Sequence, residues 1–273
     1  MSYDGTGDAP TRPRYDLSPI GYERRVILVG TSGWQYKHWR ERFYPAGVPQ
    51  RRWLEYYAER FATVEVNNAF YHLPSWEVFV GWRNRTPDDF CVGVKVSRYL
   101  THIKRLREPT EPVARFLDRA SGLGDRLGPV LLQLPPSLRL DLDALDETLS
   151  RFPSDVKVAV EPRHASWWVP ETRELLEKHH AALCWADRRG RPVAPVWRTA
   201  DFGYLRLHEG RALPRPRYGR AALTSWLDRV AGGYDTEPVY VYFNNDGGGA
   251  AIVDACAFAD LARRRGLEVS RTP

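Results

Sequence analysis

Glu65, Lys95, Gln133, Glu161 and Arg206 each lie at the end of a short apolar, β-branched run, on the face away from its valines. Strand side chains alternate between two faces. In Thr63-Val-Glu-Val-Asn67, Val64 and Val66 take one face while Glu65 and Asn67 take the other. Val92, Val94 and Val96 leave Gly93, Lys95 and Ser97 opposite, and Val158 and Val160 leave Ala159, Glu161 and Arg163. Gln133 points with Leu131; Arg206 and His208 point with Tyr204. Two carboxylates and two cations on one inner face make either an ion-pair plug or a floor for acid–base chemistry. The second reading is preferred because every member sits at the C-terminal end of its run. Two carboxylates facing a lysine can have their pKa values pushed apart, which supplies an acid and a base at neutral pH. Glu161 is expected to accept the proton, with Glu65 or Lys95 as partner.

Other clusters extend the chemistry. Glu161-Pro-Arg-His164 offers a carboxylate, a guanidinium and an imidazole within four residues, and His208 is a second titratable ring. Arg163 and Arg206 are expected to clamp an anion. Asn244-Asn245-Asp246 runs into Gly247-Gly-Gly249, a glycine turn whose backbone N–H groups suit a phosphate. Asn67, Gln133 and Asp187 are expected to line the site. Trp34, Tyr36, Tyr71 and Tyr99 make an aromatic wall, with Trp34 and Tyr71 covering the ligand, whereas Trp53, Trp82 and Trp226 read as helix-face packing. Arg98, Lys104, Arg105 and Arg107, interleaved with Tyr99, are of the type that holds a polyanion. No HxH, HExxH or CxxC spacing occurs, so no metal site is expected, and no cofactor is identified.

These residues need a scaffold that gathers strand ends. Eight apolar runs, at 26–30, 63–67, 91–97, 129–134, 157–161, 183–187, 204–208 and 239–244, nearly all precede helical stretches. Strand-then-helix alternation of this kind predicts an α/β fold, a (β/α)8 TIM-type barrel with a closed, parallel, eight-stranded sheet and outer helices. Helices are expected over 51–61 and, opened by Pro170, over 170–180, and Asp141 is placed to cap another. Residues 1–24 read as a flexible tail and 25–273 as one barrel domain.

The bulk numbers exclude little. No apolar run nears the roughly 20 residues of a membrane helix. Cys91, Cys184 and Cys256 are widely spaced within apolar runs, which points to free thiols in the cytoplasm. The net charge of +6, carried almost wholly by arginine, fits an anionic ligand and does not require nucleic acid.

Several of these segments resemble the YecE-like family, built on the domain of unknown function seventy-two. They are Gly30-Thr-Ser-Gly-Trp34 with Tyr36 and Trp39, Phe43-Tyr-Pro45, Thr63-Val-Glu-Val-Asn67 with Phe70-Tyr71, and Gly128-Pro129 through Gln133-Leu-Pro-Pro136. Val160-Glu161, Arg163-His164, Ser166-Trp167, Ala200-Asp-Phe202, Arg206-Leu-His208 and Tyr242-Phe-Asn-Asn-Asp246 complete the set. The resemblance runs from about residue 28 to 260; it implies a TIM-type barrel and no particular activity. Pro162, Ala165, His72 and Asn68-Ala69 depart from the family pattern in the loops, while the five inner polar residues are intact.

The functional expectation is an enzyme, a hydrolase or an isomerase or lyase, that acts by acid–base chemistry on a small anionic substrate such as a phosphorylated sugar or nucleotide. A nucleic-acid-binding or phosphodiester-processing barrel, tracking a backbone along loop 98–107, is the alternative, and a non-catalytic ligand sensor a third. No membrane partner is expected.

Overall fold

A computed structural model describes residues 26–273; the tail expected over 1–24 lies outside them. The strands are β1 (Val26–Thr31), β2 (Thr63–Val66), β3 (Cys91–Lys95), β4 (Leu127–Gln133), β5 (Val158–Glu161), β6 (Ala182–Leu183), β7 (Trp185–Arg188), β8 (Arg191–Pro192), β9 (Gly203–Leu207), β10 (Val239–Phe243) and β11 (Glu268–Val269). Between them lie α1 (Trp53–Ala58), α2 (Asn68–Tyr71), α3 (Trp76–Arg83), α4 (Thr110–Ala120), α5 (Leu142–Leu149), α6 (Pro170–Lys178), α7 (Arg220–Gly233) and α8 (Ala250–Arg264). Asp141 caps α5 by accepting the Ala144 N–H (3.1 Å), and Pro170 opens α6, where its missing N–H costs nothing. Among the described residues no helix is long and apolar enough to cross a membrane.

The strands run parallel, as strand–helix alternation requires. β1, β10, β9 and β7 pair in that order in one sheet, with β11 beside β1 and β8 antiparallel beside β7. β2 to β6 form the second sheet in chain order. A single ladder of eight strands is the expectation, and the hydrogen bonding departs from it at two places. Cys184 alone separates β6 from β7: Thr199 Oγ1 accepts the Leu183 N–H (2.8 Å), while Cys184 N–H still donates to Val160 of β5 (2.8 Å). At the other seam one parallel bridge, Ser32 to Glu65, joins the end of β1 to β2. Gly30 permits that approach, because a methyl group there would stand 2.3 Å from the Thr63 carbonyl oxygen.

Alternation sorts the apolar side chains into two layers. Val64, Val66, Val92, Val94, Val158 and Val160 pack outward against helix residues such as Trp53, Trp226 and Phe258. Leu28, Leu131, Ala159, Ala182, Cys184, Ala186, Tyr204, Tyr240 and Tyr242 fill the inner face. Small side chains from β5 to β7 thus oppose tyrosines from β9 and β10, and Tyr242 occupies the space that Gly93 leaves open. Above this layer the inner face turns polar.

Gly30→Ala should cost about 3 kcal/mol, because the added methyl meets backbone and not a movable side chain. Urea denaturation measures it; an unchanged midpoint would mean that the β1–β2 seam is not closely packed.

Candidate active site

The polar layer is one connected network built on Arg206. Its Nη2 donates to Glu65 Oε1 (2.8 Å) and its Nη1 to Glu161 Oε2 (2.6 Å), so one guanidinium from β9 joins carboxylates from β2 and β5. Ser32 and Tyr204 hydroxyls also donate to Glu65, at 2.7 and 2.6 Å. Glu161 further accepts from Gln133 Nε2 (2.9 Å), from Arg163 Nε and Nη2 (3.1 and 3.0 Å) and from His208 Nε2 (3.1 Å). Asn244 donates its amide N–H into His208 Nδ1 (3.0 Å), which leaves the ring hydrogen on Nε2, facing Glu161. Glu65, Glu161 and Arg206 are at most 1% exposed, whereas the Arg163 side chain is 40% exposed and reaches the rim.

Lys95 stands apart from this network. It is 8% exposed, and among the described residues its ammonium has no hydrogen-bond or carboxylate partner. Its Nζ sits 3.8 Å from the centre of the Phe70 ring, a cation–π contact from α2. His102, in the loop after β3, packs edge-on against the same ring (4.9 Å).

A family profile described as "Protein of unknown function DUF72" matches residues 28–273. The chain belongs to the DUF72 family. It is 33% identical over 150 residues to the UPF0759 protein YecE of Escherichia coli K12, covering 55% of this chain and 53% of that one. The chain therefore spans about half the length of that curated relative in the match. The UPF0759 protein YunF of Bacillus subtilis is 24% identical over 261 residues, covering 83% of this chain and 91% of the other. A crystal structure of a DUF72 family protein from Thermotoga maritima superposes with a TM-score of 0.78 at 28% identity, covering 88% of this chain and all of that one. One from Enterococcus faecalis gives 0.74 at 19%, covering 87% and 96%.

Burial and charge set the protonation states. Burial alone would raise both carboxyls, but Arg206 outweighs it, together with the Tyr204 and Ser32 hydrogen bonds for Glu65 and with His208 and Arg163 for Glu161. Glu65 lies below its ordinary value and Glu161 well below. Glu161, expected to accept a proton, has its lone pairs engaged by four side chains, which orients Arg163 and His208 against it. Burial, aided by Arg206 and Arg163 and opposed by Glu65 and Glu161, brings the Lys95 ammonium down to about 8. Lys95 therefore loses its proton closer to neutrality than an ordinary lysine does.

The other expected residues divide. Gln133, Arg163, Arg206, His208 and Asn244 join the network. Asn67, at the end of β2, has Oδ1 buried without a partner among the described residues, and with Gly33, Trp34 and Tyr36 it lines a pocket of about 160 Å³. Trp34 itself is buried edge-on against Trp82 (5.3 Å), and the Tyr36 hydroxyl donates to the Ser32 carbonyl (2.5 Å), so both are walls and not lids. Tyr71 is 65% exposed and borders a separate pocket of about 320 Å³ with Tyr99, Arg115 and Arg119.

Four of the expected residues make structural contacts. Asp187 faces the helix layer, because Ala186 takes the inward position in β7; it accepts from Trp226 Nε1 (2.7 Å) and from the Tyr218 hydroxyl. His164 caps the turn Ala165–Trp167, its Nδ1 accepting from Ser166 N–H (3.1 Å). Asn245 donates to Asp254 Oδ2 (2.7 Å) on α8, an anchor for that helix. Asp246 accepts from Trp39 Nε1 (2.8 Å) and meets His38 Nε2 (2.8 Å), closing the base of the glycine turn. In the basic loop Lys104 pairs with Glu108, and Arg105 donates to the Ser137 carbonyl (2.9 Å). Sequence reasoning missed Ser32 and Tyr204 as partners of Glu65. Their signal was parity: Tyr204 is two residues before Arg206, and Ser32 two after Gly30.

Arg206→Met should destabilise the fold by about 3–5 kcal/mol, since it leaves two buried carboxylates short of donors. The depressed carboxyls stabilise the wild type above about pH 4.5 and lose that contribution as pH falls through their folded values. The gap between wild type and variant should therefore narrow in acid, as denaturation at pH 7 and pH 4 will measure. Lys95→Met should act oppositely. A folded pKa of about 8, below the ordinary 10.5, penalises the native state at pH 7 and relents as pH climbs from 8 toward 10.5. The variant should gain up to about 3 kcal/mol at pH 7 and lose the advantage by pH 10.5; no gain at pH 7 would mean that the ammonium is well solvated.

Proposed function

We propose that this chain is an enzyme that binds a small anion above the Glu65–Arg206–Glu161 floor and moves a proton on it with Lys95. The observation that carries the reading is a buried ammonium without a counter-ion of its own. The two floor carboxylates face three cations, Arg206, Arg163 and Lys95, which leaves one positive charge for a ligand to neutralise. Arg163 commits Nε and Nη2 to Glu161 and keeps Nη1 for the rim. A phosphorylated sugar or nucleotide-like anion suits such a seat.

Isomerase or lyase chemistry fits better than hydrolysis. A carboxylate that activates water needs a free lone pair, and both carboxylates here are engaged by several donors. An amine near pH 8 is suited to taking and returning a proton. Lys104 and Arg105 of the basic loop already have partners, which favours a small ligand over a nucleic-acid backbone. The same reading takes the two sheets as one (β/α)8 barrel over 25–273, closed at the Ser32–Glu65 bridge and across Cys184. It assigns the barrel to the cytoplasm, where its three free cysteines stay reduced.

Inorganic phosphate, titrated calorimetrically, tests the seat. Binding should weaken at least tenfold in Lys95→Met and in Arg163→Ala, and in the wild type as pH rises through 8. It should respond only mildly to salt, unlike a polyanion track that releases many counterions. Equal affinity in all three proteins would remove the proposal.

A further inference from the structure

We infer that Lys95 forms an imine with a small aldehyde or ketone that carries a phosphate or carboxylate. This rests on the anion seat proposed above and narrows its substrate to compounds with a free carbonyl, such as an open-chain sugar phosphate.

The chain has five lysines, at positions 37, 95, 104, 157 and 178. Lys37 is exposed, Lys157 half-buried, Lys104 pairs with Glu108 and Lys178 with Asp146 (2.8 Å). Only Lys95 is buried, and its Nζ meets a ring face where another lysine meets a carboxylate. Phe70 accepts no proton and makes no directional bond, so once the amine is neutral nothing holds its lone pair. The charges acting on it are Glu65 on β2, Glu161 and Arg163 at the end of β5, and Arg206 on β9, while His102 in the loop after β3, held down to about 4 by burial and by Lys95, Arg98 and Arg163, faces it as a neutral ring. The carboxylates among them are turned toward Arg206, near enough to attract the ammonium and not bonded to it. With a pKa of about 8, roughly a quarter of the amine is neutral at pH 7.5, against about one part in a thousand for an ordinary lysine. A desolvated lysine beside other cations is the arrangement that activates an amine as a nucleophile.

The step balances without a redox partner. The neutral Nζ adds to the carbonyl carbon, forming a C–N bond, and the carbonyl oxygen takes a proton. The resulting carbinolamine receives a second proton on its hydroxyl and expels water, and Nζ gives up its remaining hydrogens as the imine forms. The net change is amine plus carbonyl to imine plus water. Protonated, the imine carries the positive charge of the lysine it replaces, so the floor stays balanced, and it draws electrons from the adjacent carbon. Arg163 at the rim holds the substrate's anion while the carbonyl reaches Nζ.

The test is reductive trapping. Full-length protein is treated with glyceraldehyde 3-phosphate and sodium borohydride, and in parallel with uncharged glyceraldehyde; intact mass and peptide mapping locate the adduct. One adduct at Lys95 is expected, forming at least tenfold faster with the phosphorylated aldehyde, accelerating from pH 6.5 to 8.5, and suppressed by inorganic phosphate. Lys95→Arg, which keeps the charge, should lose the adduct, while Lys37→Arg, at an exposed lysine outside the site, should keep both the adduct and phosphate binding. Labelling spread over the exposed lysines, or an unlabelled Lys95, overturns the inference. If phosphate still binds in that case, the imine alone falls; if phosphate does not bind, the anion seat falls with it. The two pH trends run in opposite directions, since phosphate is held by the ammonium and the aldehyde is captured by the free amine.

Discussion

The Arg206 guanidinium, closed off from solvent between Glu65 and Glu161, is the interaction on which the rest of the site depends. Taking three charges out of water is expensive, and attraction in the interior offsets the cost only when geometry is good and the remaining lone pairs are satisfied. Here they are, by Ser32, Tyr204, Gln133, Arg163 and His208. The donors come from four separate stretches of chain, so the network is also a set of distance restraints across the inner face. It holds β2, β5 and β9 at one height and orients the two residues, Arg163 and His208, that face outward from it.

That network has an electrostatic by-product. Because both carboxylates are committed to Arg206, neither forms a bonded pair with Lys95, and the lysine is left in a low-dielectric corner with an aromatic ring as its contact. A protein selected for stability alone would fill that corner with an apolar side chain. The native state instead holds an ammonium that its surroundings push toward losing its proton, which is the kind of local cost that accompanies chemistry.

Much of this was legible from period-two alternation. Glu65, Lys95, Gln133, Glu161 and Arg206 lie on the face opposite their valines, and the strands carry them to one end as expected. Asp187 departs from the expectation by the same parity: with Ala186 inward, Asp187 faces Trp226. His164, Asn245 and Asp246 follow strands or begin turns, where alternation no longer applies and capping or anchoring contacts decide orientation. The role of Lys95 against Glu161 was not legible, since hydrogen-bond saturation depends on which donors meet a carboxylate in space. The break at Cys184 was equally hidden, because it is made by a hydroxyl fifteen residues further along, on Thr199.

The contact between Ser32 and Glu65 ties the bridge between the two sheets to the charge of the polar layer. Glu65 is needed to keep β1 beside β2, and Arg206 to neutralise it, whatever the site above them does. Glu65 and Arg206 are therefore architecture as well as the floor of the site. Position 95 carries no such obligation, since Lys95 bonds to neither carboxylate and its contact is the Phe70 ring.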